Sequence, residues 1–301
     1  MTGRALITGA FSNTGSAVAR ELLLRDWQVG TLTNRAAPAS TTIASHDLRF
    51  EREYLLRAMD GVDVFVNTYW VRFPHRGVTF RTAIDNTRLL FDVAREAGVR
   101  RIVQVSVSNA DAGSGLSYYE GKADVDDMLR ASGMSHAIVR PTLIVGPNDV
   151  LTNNIAWFVR RLPFFGIPSG PGYRLQPVTL DDTGRIIADA VAASGDIDID
   201  AAGPETFTFE EYVRQLAASM GRRLRMFPIP PRQVVRALAL FKPLLRDTVL
   251  TFEELEGLRR EMLVSKAEPL GTEPVSSWLV EHGDAFGRTY ANDTLTRFHT
   301  Q

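Results

Sequence analysis

The sequence predicts an α/β fold in which helices cover both faces of a parallel sheet. Three observations support this class. Short apolar, β-branched runs recur over the first two-thirds of the chain, segments with helical spacing separate them, and the first run leads directly into a glycine turn. The length of 301 residues allows one large core or two modest ones. Because 45% of the residues are hydrophobic and the net charge is -1, the composition is that of an ordinary globular protein.

Strands and helices alternate regularly from the N-terminus. A strand over residues 4–8 leads through the glycine turn into an amphipathic helix, and a strand over 28–33 completes a right-handed βαβ unit. The next predicted elements are a strand over 62–67, a helix over 82–97 closed by Gly98, a strand over 101–106, a helix from Ser117 and a strand over 136–140. Ser117 and Glu120 predict a capping box at the start of that helix, and Gly133 predicts its end.

The pattern becomes irregular after residue 146, where prolines and glycines interrupt aromatic pairs. A strand-like segment at 175–180, a helix over 182–192 and a strand over 197–200 are expected to rejoin the sheet. Thr208 and Thr251, each followed three residues later by a glutamate, open further helices. We therefore predict a doubly wound sheet domain over residues 1–146, with 175–203 rejoining it. A smaller, mainly helical region is expected over 147–174 and 204–301.

Composition argues against several kinds of function. The chain has no cysteine, which excludes disulfides, thiolate metal sites and a cysteine nucleophile, and its five histidines show no metal-ligand spacing. The positive charge is nearly all arginine and is spread along the chain without a basic run, so no nucleic-acid partner is expected. No apolar stretch has membrane-spanning length, and the first strand leaves no room for a signal peptide. We expect a cytoplasmic protein.

The glycine turn lies at the first strand-to-helix junction, where backbone amides and a helix N-terminus bind a pyrophosphate in Rossmann-type folds. Gly9 suits the tight turn and Gly15 allows close packing of the helix, but Ser12 stands where a middle glycine is expected. Ser12 either donates a hydroxyl hydrogen bond to phosphate or weakens binding. The alternative for the whole segment is a plain loop, although its position favours dinucleotide binding. The predicted cofactor contacts here are Gly9, Phe11, Ser12, Asn13, Thr14 and Gly15.

The end of the second strand indicates which dinucleotide binds. NAD-binding proteins commonly place a carboxylate there for the ribose hydroxyls, but this strand ends in Asn34-Arg35 without an acidic group. These two side chains suit a 2′-phosphate, so NADP is the preferred cofactor and NAD the alternative. Asp47, which precedes Leu48 at the end of the predicted third strand, either faces the adenine amine or is a cap or turn residue.

Tyr118 and Lys122 are the candidate catalytic pair. Their spacing places both side chains on one face at the start of a predicted helix. A tyrosine hydroxyl exchanges protons near neutral pH only if a nearby positive charge lowers its pKa, and Lys122 supplies such a charge. The alternative is an amphipathic helix end in which the tyrosine packs and the lysine is solvated.

Two serines at the end of the preceding strand complete the predicted catalytic set. Alternation places Ser106 and Ser108 on the same side, and Ser108 lies further toward the carboxyl edge, where ligands bind in open α/β sheets. We therefore favour Ser108 for orienting a substrate carbonyl or alcohol, while Ser106 is expected to contact the cofactor. A hydrogen bond from the hydroxyl to the backbone is the common alternative for either serine.

Taken in order, these residues resemble the extended or atypical short-chain dehydrogenase/reductases, which include nucleotide-sugar epimerases, NmrA-like proteins and relatives of a complex I accessory subunit. The resemblance covers residues 3–205 and rests on the glycine turn, Asp47-Leu48, Val66-Asn67-Thr68, Val105-Ser-Val-Ser108, Tyr118 to Lys122, Arg140-Pro141-Thr142, Gly146-Pro147 and Pro177 to Asp182. It implies that Tyr118 shuttles a proton and that Lys122 also binds the nicotinamide ribose. It further places Asn67, Thr68, Pro141 and Thr142 in the cofactor site and makes the C-terminal region a substrate-binding region.

The small-molecule substrate is less well defined by the sequence. Candidate contacts follow the fourth strand or lie where the resemblance places phosphate or sugar, with aromatic packing or solvated loop roles as the alternatives. They are Tyr69, Trp70, Arg72, His75, Asn153, Asn154 and Arg174. Two functions remain in view: an NAD(P)-dependent oxidoreductase or epimerase acting on a carbonyl or hydroxyl group, and a non-catalytic NAD(P)-binding sensor or accessory subunit. Oligomeric state is left open.

Overall fold

The computed structural model describes residues 3–75, 77–241 and 245–292. The chain divides into two compact units, Met1–Pro141 with Leu180–Ala201 and Thr142–Thr179 with Ala202–Gln301. The first unit is therefore built from two separate stretches of sequence. No helix of the described residues has the length and apolar character needed to cross a membrane.

The strands are short, as parallel sheets in α/β proteins require only a few residues each. In chain order they are β1 (Arg4–Thr8), β2 (Gln28–Leu32), β3 (Ala44–His46), β4 (Val64–Asn67), β5 (Arg101–Val105), β6 (Ser135–Pro141), β7 (Leu143–Val145), β8 (Phe164–Pro168), β9 (Arg174–Leu175), β10 (Pro177–Thr179), β11 (Ile197–Ala201), β12 (Phe207–Thr208) and β13 (Arg225–Ile229).

The helices alternate with these strands in the first unit and cluster in the second. In chain order they are α1 (Asn13–Leu24), α2 (Arg52–Ala58), α3 (Phe80–Glu96), α4 (Ser117–Ala131), α5 (Val150–Arg161), α6 (Leu180–Ala192), α7 (Phe209–Ser219), α8 (Pro231–Ala239), α9 (Phe252–Arg259) and α10 (Val275–His282). The predicted helix starts at Thr208 and Thr251 are confirmed, because each threonine caps its helix in a capping box with the glutamate three residues on.

The first unit is a Rossmann-type sheet, which confirms the predicted fold class. Its seven strands lie in the order β11-β6-β5-β4-β1-β2-β3, and all six neighbouring pairs are parallel. The order reverses beside β1, which places the carboxyl ends of β1 and β4 at the switch point where ligands bind in such sheets.

Alternate residues of each strand enter two cores on opposite faces of this sheet. Ile7 and Val66 pack in one core with α1 and α6, while Leu6 and Phe65 pack in the other with α2, α3 and α4. Burial on both faces explains why the strands read as continuous apolar runs rather than as alternating ones.

Two predicted features differ in the structure. Leu116, not Ser117, is the N-cap of α4, and it makes no side-chain cap bond; the Glu120 carboxylate instead accepts from the Gly115 amide at 2.9 Å. The Ser117–Glu120 capping box is therefore wrong, because the glutamate bonds the amide of Gly115, two residues before Ser117. Gly133 does follow the helix end, with φ of 72°.

Of the segment expected to rejoin the sheet, β11 does so, but the strands of 174–179 pair elsewhere. β10 pairs with β7, and β9 pairs with β12, all within the second unit. The physical reason is hydrogen bonding within the second unit. The Gln176 carbonyl accepts from the Thr142 hydroxyl, and the Gln176 side chain donates to the Gly203 carbonyl. These bonds hold the segment in the second unit.

The second unit has its own apolar core. Tyr212 is fully buried at its centre and its hydroxyl forms a 2.7 Å hydrogen bond with that of Thr152. The core is lined by α5, α7 and α10, which contribute Val159, Leu216 and Leu279. A separate parallel pair, β8 with β13, lies in the same unit.

Candidate functional site

The carboxyl ends of β1, β4 and β5 carry polar side chains that form a buried chain of hydrogen bonds. The Thr8 hydroxyl donates to the Asn67 side-chain oxygen at 3.1 Å, and the Asn67 amide donates to Gln104 at 2.8 Å. Gln104 in turn donates to the Val105 carbonyl at 3.0 Å. Because all three side chains are at most 1% exposed, their polar groups need these partners, and the network fixes the edge of the sheet.

Lys122 ends this chain of hydrogen bonds. Its ammonium group donates to the same Val105 carbonyl at 2.8 Å and lies 4.8 Å from the centre of the Trp70 ring. The side chain is only 3% exposed, so the charge sits among protein groups rather than in water. The helix α4 therefore holds the lysine in one position against the end of β5.

Tyr118 lies one helical turn before Lys122 and is half-buried among aromatic rings. Its ring meets those of Trp70 and Phe80 edge-on, with centroids 6.3 and 6.0 Å apart. The sequence-predicted residues Tyr118, Lys122 and Trp70 are thus brought together, and we call them the lysine site.

Asp126 is a buried carboxylate that the sequence reasoning did not identify. It lies one turn beyond Lys122 on α4, is 1% exposed, and accepts hydrogen bonds from the Ser106 hydroxyl at 2.8 Å and Arg140 at 3.3 Å. The hydroxyl of Ser106 is therefore engaged with this carboxylate. Its one proton is used in this bond, so a contact with a cofactor would use the lone pairs of the oxygen as acceptors.

Burial dominates the ionisation of two buried charged groups on α4, Lys122 and Asp126. Removal from water lowers the pKa of Lys122 from 10.5 to about 8, and the negative charge of Asp126 opposes this shift. Burial raises the pKa of Asp126 from 3.8 to about 6, against the lowering effects of the Ser106 hydrogen bond and the Arg140 charge. The pKa of Lys122 is thus lowered toward neutral pH, and the pKa of Asp126 is raised toward it.

Ser108 is fully buried just beyond the end of β5, where its backbone amide donates to the Pro141 carbonyl at 2.9 Å. The next residue, Asn109, has φ of 54°, in the left-handed region that asparagine tolerates better than most residues. The backbone turns sharply only after both serines. The Ser106 amide donates to the Val139 carbonyl at 2.8 Å, two residues before the Pro141 carbonyl that Ser108 uses, so strand-like pairing with β6 continues to Ser108.

The turn between β1 and α1 is tight and leaves backbone donors at the start of the helix. Gly9 adopts φ of 72°, and a Cβ atom on Gly15 would lie 2.1 Å from the Gly9 carbonyl oxygen, so no larger residue fits there. In the described part of the chain, the backbone N–H groups of Asn13 and Thr14 donate to no protein acceptor. They remain available to an anion at the helix N-terminus.

Ser12 has a structural role in this turn. It is the N-cap of α1, and its hydroxyl oxygen accepts from the Gly15 amide at 3.2 Å. Phe11 packs against the sheet core, and the side-chain oxygen of Asn13 is buried with no hydrogen-bond partner among the described residues. The serine therefore stabilises the turn that lacks the usual middle glycine.

The residues predicted to recognise the adenosine end divide into two groups. Arg35 extends over the glycine turn, where its guanidinium donates to the Phe11 carbonyl at 3.4 Å. Asn34 instead exchanges two hydrogen bonds with the backbone of Leu48, and Asp47 pairs with Arg49 at 2.6 Å. The structure thus leaves a positive charge beside the turn and no unpaired carboxylate at Asp47.

The segment after β4 begins with two residues tied to the sheet edge. The Thr68 and Tyr69 amides both donate to the Thr8 hydroxyl, at 2.7 and 3.0 Å, and the Tyr69 hydroxyl accepts from Asn86. Burial raises the pKa of the Tyr69 hydroxyl.

The next two candidates in this segment make local contacts. Arg72 lies 5.4 Å from the Phe73 ring, and His75 forms an isolated β-bridge with Val78. Among the substrate candidates of this segment, Trp70 alone has been placed in the lysine site.

Two substrate candidates of the second unit, Asn153 and Asn154, form hydrogen bonds with the backbone of that unit. The Asn153 side chain bonds the backbone of Gly287 and Thr289, and Asn154 bonds both the amide and the carbonyl of Ala291. Both side chains thus stabilise the backbone of this unit, and their contact with a substrate stays a prediction.

Arg174 and Thr142 are also engaged within the second unit. Arg174 forms a two-point ion pair with Glu261 at 2.8 and 2.5 Å, and the Thr142 hydroxyl bonds the Gln176 carbonyl. For each of these candidates the described partner already satisfies the polar group that the sequence assigned to a ligand.

Two residues of the site, Gln104 and Asp126, were missed by sequence reasoning, although each left a signal. Gln104 is a polar residue inside the otherwise apolar end of β5. Asp126 continues the four-residue spacing that links Tyr118 to Lys122 along one helix face.

Comparison with known proteins identifies the first part of the chain. Residues 9–154 match the family described as NAD(P)H-binding. A ceramide reductase of Caulobacter vibrioides is 26% identical over 79% of this chain and 77% of its own length. NADH dehydrogenase [ubiquinone] 1 alpha subcomplex subunit 9 of Arabidopsis thaliana is 23% identical over 71% of this chain, and the match spans 57% of that subunit.

The fold is shared with a solved reductase. The crystal structure of the Citrobacter sp. triphenylmethane reductase complexed with NADP(H) superimposes with a TM-score of 0.76, at 16% identity, over 93% of this chain and 99% of that one. Residues 9–154 are thus similar to NAD(P)H-binding domains, and the chain shares its fold with a reductase solved in complex with NADP(H), in agreement with the resemblance seen in its sequence.

Proposed function

We propose that this protein is an NAD(P)-dependent oxidoreductase or epimerase that acts on a carbonyl or hydroxyl group through Tyr118 and Lys122. The observation that carries the proposal is the position of Lys122, buried and fixed by the Val105 carbonyl one turn from Tyr118. A purely structural lysine has no need of burial at this edge of the sheet, since burying an ammonium group is costly.

The chemistry follows from these two residues. When bound, the nicotinamide exchanges a hydride at C4 with the substrate carbon. Tyr118 exchanges its hydroxyl proton with the substrate oxygen, so that a carbonyl gaining a hydride also gains a proton and an alcohol losing a hydride also loses one. Lys122 supplies the positive charge that favours the tyrosinate form. Its own pKa of about 8 leaves it largely charged at neutral pH.

We assign the pyrophosphate of the cofactor to the turn from Gly9 to Gly15 and the α1 N-terminus. The NADP preference rests on Arg35, which lies beside this turn, and on the pairing of Asp47 with Arg49. Replacing Arg35→Gln is expected to weaken NADPH binding by roughly ten- to a hundredfold, because a charge-assisted bond to the 2′-phosphate is lost. NADH binding should change little, and calorimetric titration of both dinucleotides measures the difference. Equal losses for the two would argue against a 2′-phosphate contact.

A second candidate, a non-catalytic NAD(P)-binding sensor or accessory subunit, is favoured by the similarity to the Arabidopsis complex I subunit. It predicts dinucleotide binding without turnover. The two functions therefore differ in what happens when the tyrosine hydroxyl is removed.

The deciding experiment compares Tyr118→Phe with the unmodified chain. The substitution keeps the ring that packs against Trp70 and Phe80, so dinucleotide affinity should stay nearly unchanged. Turnover should fall by about 10²- to 10⁴-fold if the hydroxyl transfers the proton. Oxidation of NADPH is followed at 340 nm on a panel of carbonyl compounds, which should include ceramide-type substrates because one relative is named a ceramide reductase.

Tyr54→Phe is the matched control, since Tyr54 lies on α2 in the same unit and outside the lysine site. This variant should retain full activity. A fully active Tyr118→Phe variant would overturn the catalytic assignment. Dinucleotide binding with no turnover by the unmodified chain on the whole panel would favour the sensor instead.

A further inference from the structure

One stretch of the second unit is cationic and contains no carboxylate. Residues 212–246 include seven arginines and one lysine but neither aspartate nor glutamate. Basic residues are spread evenly along the chain, and this stretch differs from the rest by its lack of acidic residues. The local charge is therefore strongly positive in a chain whose net charge is only -1.

The helix α8 within this stretch is an amphipathic helix with no buried residue. Arg232, Arg236 and the following Leu240 recur at intervals of four, which places them on one face of the helix. All three are exposed, and Leu240 is 80% exposed. Leu240 follows the last residue of α8, so an exposed apolar side chain lies at the end of the arginine-bearing face.

The strand pair β8–β13 adds aromatic side chains to the same unit. Phe164 and Phe227 are 51% and 42% exposed, and their ring centroids are 5.9 Å apart. Arg225 pairs with Phe164 in register and lies two residues from Phe227, so it shares a strand face with that ring. We call Phe164, Arg225, Phe227, Arg232, Arg236 and Leu240 the basic patch.

The arginines of this patch differ from most exposed arginines of the protein. Elsewhere even Arg81, with its side chain 78% exposed, pairs with Asp85. Within the part of the chain that the structure describes, no carboxylate lies within 4.0 Å of Arg225, Arg232 or Arg236. Within the described residues, their charges are therefore not neutralised by an ion pair.

We propose that the basic patch binds the surface of an anionic lipid bilayer, a function beyond the catalytic one. Arginine charges attract anionic headgroups, while phenylalanine and leucine side chains gain by entering the boundary between headgroups and acyl chains. Because α8 is only nine residues long, it lies along the surface and does not span the bilayer.

A nucleic acid or an acidic protein would satisfy the arginines but not the exposed aliphatic side chain. Phosphate backbones are bound by charge and by aromatic stacking, for which Leu240 offers nothing. The combination of unpaired arginines with Leu240 and two exposed phenylalanines therefore favours a bilayer.

The test is co-sedimentation of the full chain with vesicles. Vesicles of phosphatidylcholine containing about 30% phosphatidylserine should bind the protein, whereas pure phosphatidylcholine vesicles should bind it weakly. Raising the salt from about 0.1 M to about 0.5 M should weaken binding, because exposed charges are screened.

Arg232→Gln with Arg236→Gln should reduce binding to the anionic vesicles by roughly 25-fold, since each cationic side chain near the surface contributes about fivefold. Leu240→Ser should weaken binding further and should do so even at high salt. The matched control is Arg81→Gln with Arg95→Gln, which removes the same charge from α3 of the first unit. The control should bind vesicles like the unmodified chain.

Dinucleotide affinity is measured for every variant, so that loss of fold is distinguished from loss of the patch. The proposal is overturned if the unmodified chain does not bind anionic vesicles. It is also overturned if the double variant of α3 loses as much binding to these vesicles as the double variant of α8. Binding to single-stranded RNA or self-association through α8, without vesicle binding, would equally overturn it. None of these outcomes depends on turnover, so the catalytic proposal is tested separately.

Discussion

The lysine site and the basic patch place positive charges in opposite environments. Lys122 is buried, bonded to a carbonyl and near a carboxylate, whereas Arg232 and Arg236 are exposed and form no ion pair with the residues that the structure describes. A buried charge changes its own pKa because desolvation is costly, while an exposed charge keeps its proton and acts on what lies outside the protein. The first arrangement suits proton chemistry and the second suits association.

The largest effect is expected from Lys122→Met. Without the charge that favours tyrosinate, turnover should fall by about 10²- to 10⁴-fold. Stability should nevertheless rise, because the buried ammonium costs about 3 kcal/mol, given roughly 1.4 kcal/mol per pKa unit between 10.5 and about 8. The Val105 carbonyl keeps Gln104 as its donor, so it is not left unsatisfied.

Urea unfolding at several pH values measures this stability. The pKa of Lys122 is lower in the folded chain than in the unfolded one. The buried charge therefore destabilises the fold by its whole amount below pH 8, and this destabilisation disappears as the pH rises from about 8 to 10.5. The unmodified chain should therefore gain stability across that window relative to the methionine variant. A variant that is less stable at pH 7 would contradict the account of a costly buried charge.

Asp126→Asn should alter the response to acid. The folded pKa of Asp126 is raised, so its contribution to stability is present below about pH 4 and is lost as the pH rises through about 6. This loss is up to about 3 kcal/mol in the unmodified chain and should be missing in the asparagine variant. Thermal unfolding from pH 4 to 7 measures it, and parallel curves for both proteins would refute the assignment.

The same substitution should shift the pH dependence of turnover. The Asp126 charge raises the pKa of Lys122, so its removal lowers that pKa further. The alkaline limb of the kcat profile should then move to lower pH, a shift that a merely structural role would not produce. Asp127→Asn is the matched control, because Asp127 lies next to Asp126 but pairs with Arg130 at the surface.

A smaller effect is expected from Gly15→Ala in the glycine turn. The added Cβ would lie 2.1 Å from the Gly9 carbonyl oxygen, so the turn or α1 must shift, at a cost of roughly 1–3 kcal/mol. Dinucleotide affinity should fall with it. Gly113→Ala is the control, since a Cβ there meets only the Asp111 side chain at 3.7 Å. Equal stability of both variants would mean that the turn is not tightly packed.

The smallest effect is expected from Arg232→Gln with Arg236→Gln on stability. Because neither guanidinium has a carboxylate partner in the described residues, the free energy of unfolding should change by no more than about 0.5 kcal/mol. Urea unfolding measures this quantity. A loss of several times that size would show that the patch stabilises the fold, and would remove the contrast with Lys122.

Much of the fold followed from local patterns. The alternation of apolar strands and amphipathic helices, the glycine turn and the capping boxes at Thr208 and Thr251 depend on residues close together in sequence. The expected capping box at Ser117 failed for a similarly local reason, since Glu120 had a second amide within reach at Gly115. A motif of this kind specifies which groups are able to form a hydrogen bond. It does not specify which of two neighbouring amides the glutamate bonds.

The site was predictable only where its residues share one element. Tyr118 and Lys122 are paired by helical spacing, but the roles of Gln104 and Ser106 depend on partners 37 and 20 residues away. Asn153 is likewise a predicted substrate contact, and only the structure shows that its side chain bonds the backbone of Gly287 and Thr289. The sequence shows which side chains are able to form hydrogen bonds, but the tertiary structure determines which partner each of them bonds.

The sequence by itself determined the α/β order, the glycine turn and the spacing of the tyrosine and lysine, because periodicity and turn chemistry act over a few residues. Only the tertiary structure decided that Lys122 is buried against Val105 and Trp70, that Asp126 lies beside Ser106, and that the arginines of α8 form no ion pair with a carboxylate of the described residues. Those facts depend on which distant segments meet, and the meeting is set by burial of apolar surface over the whole chain.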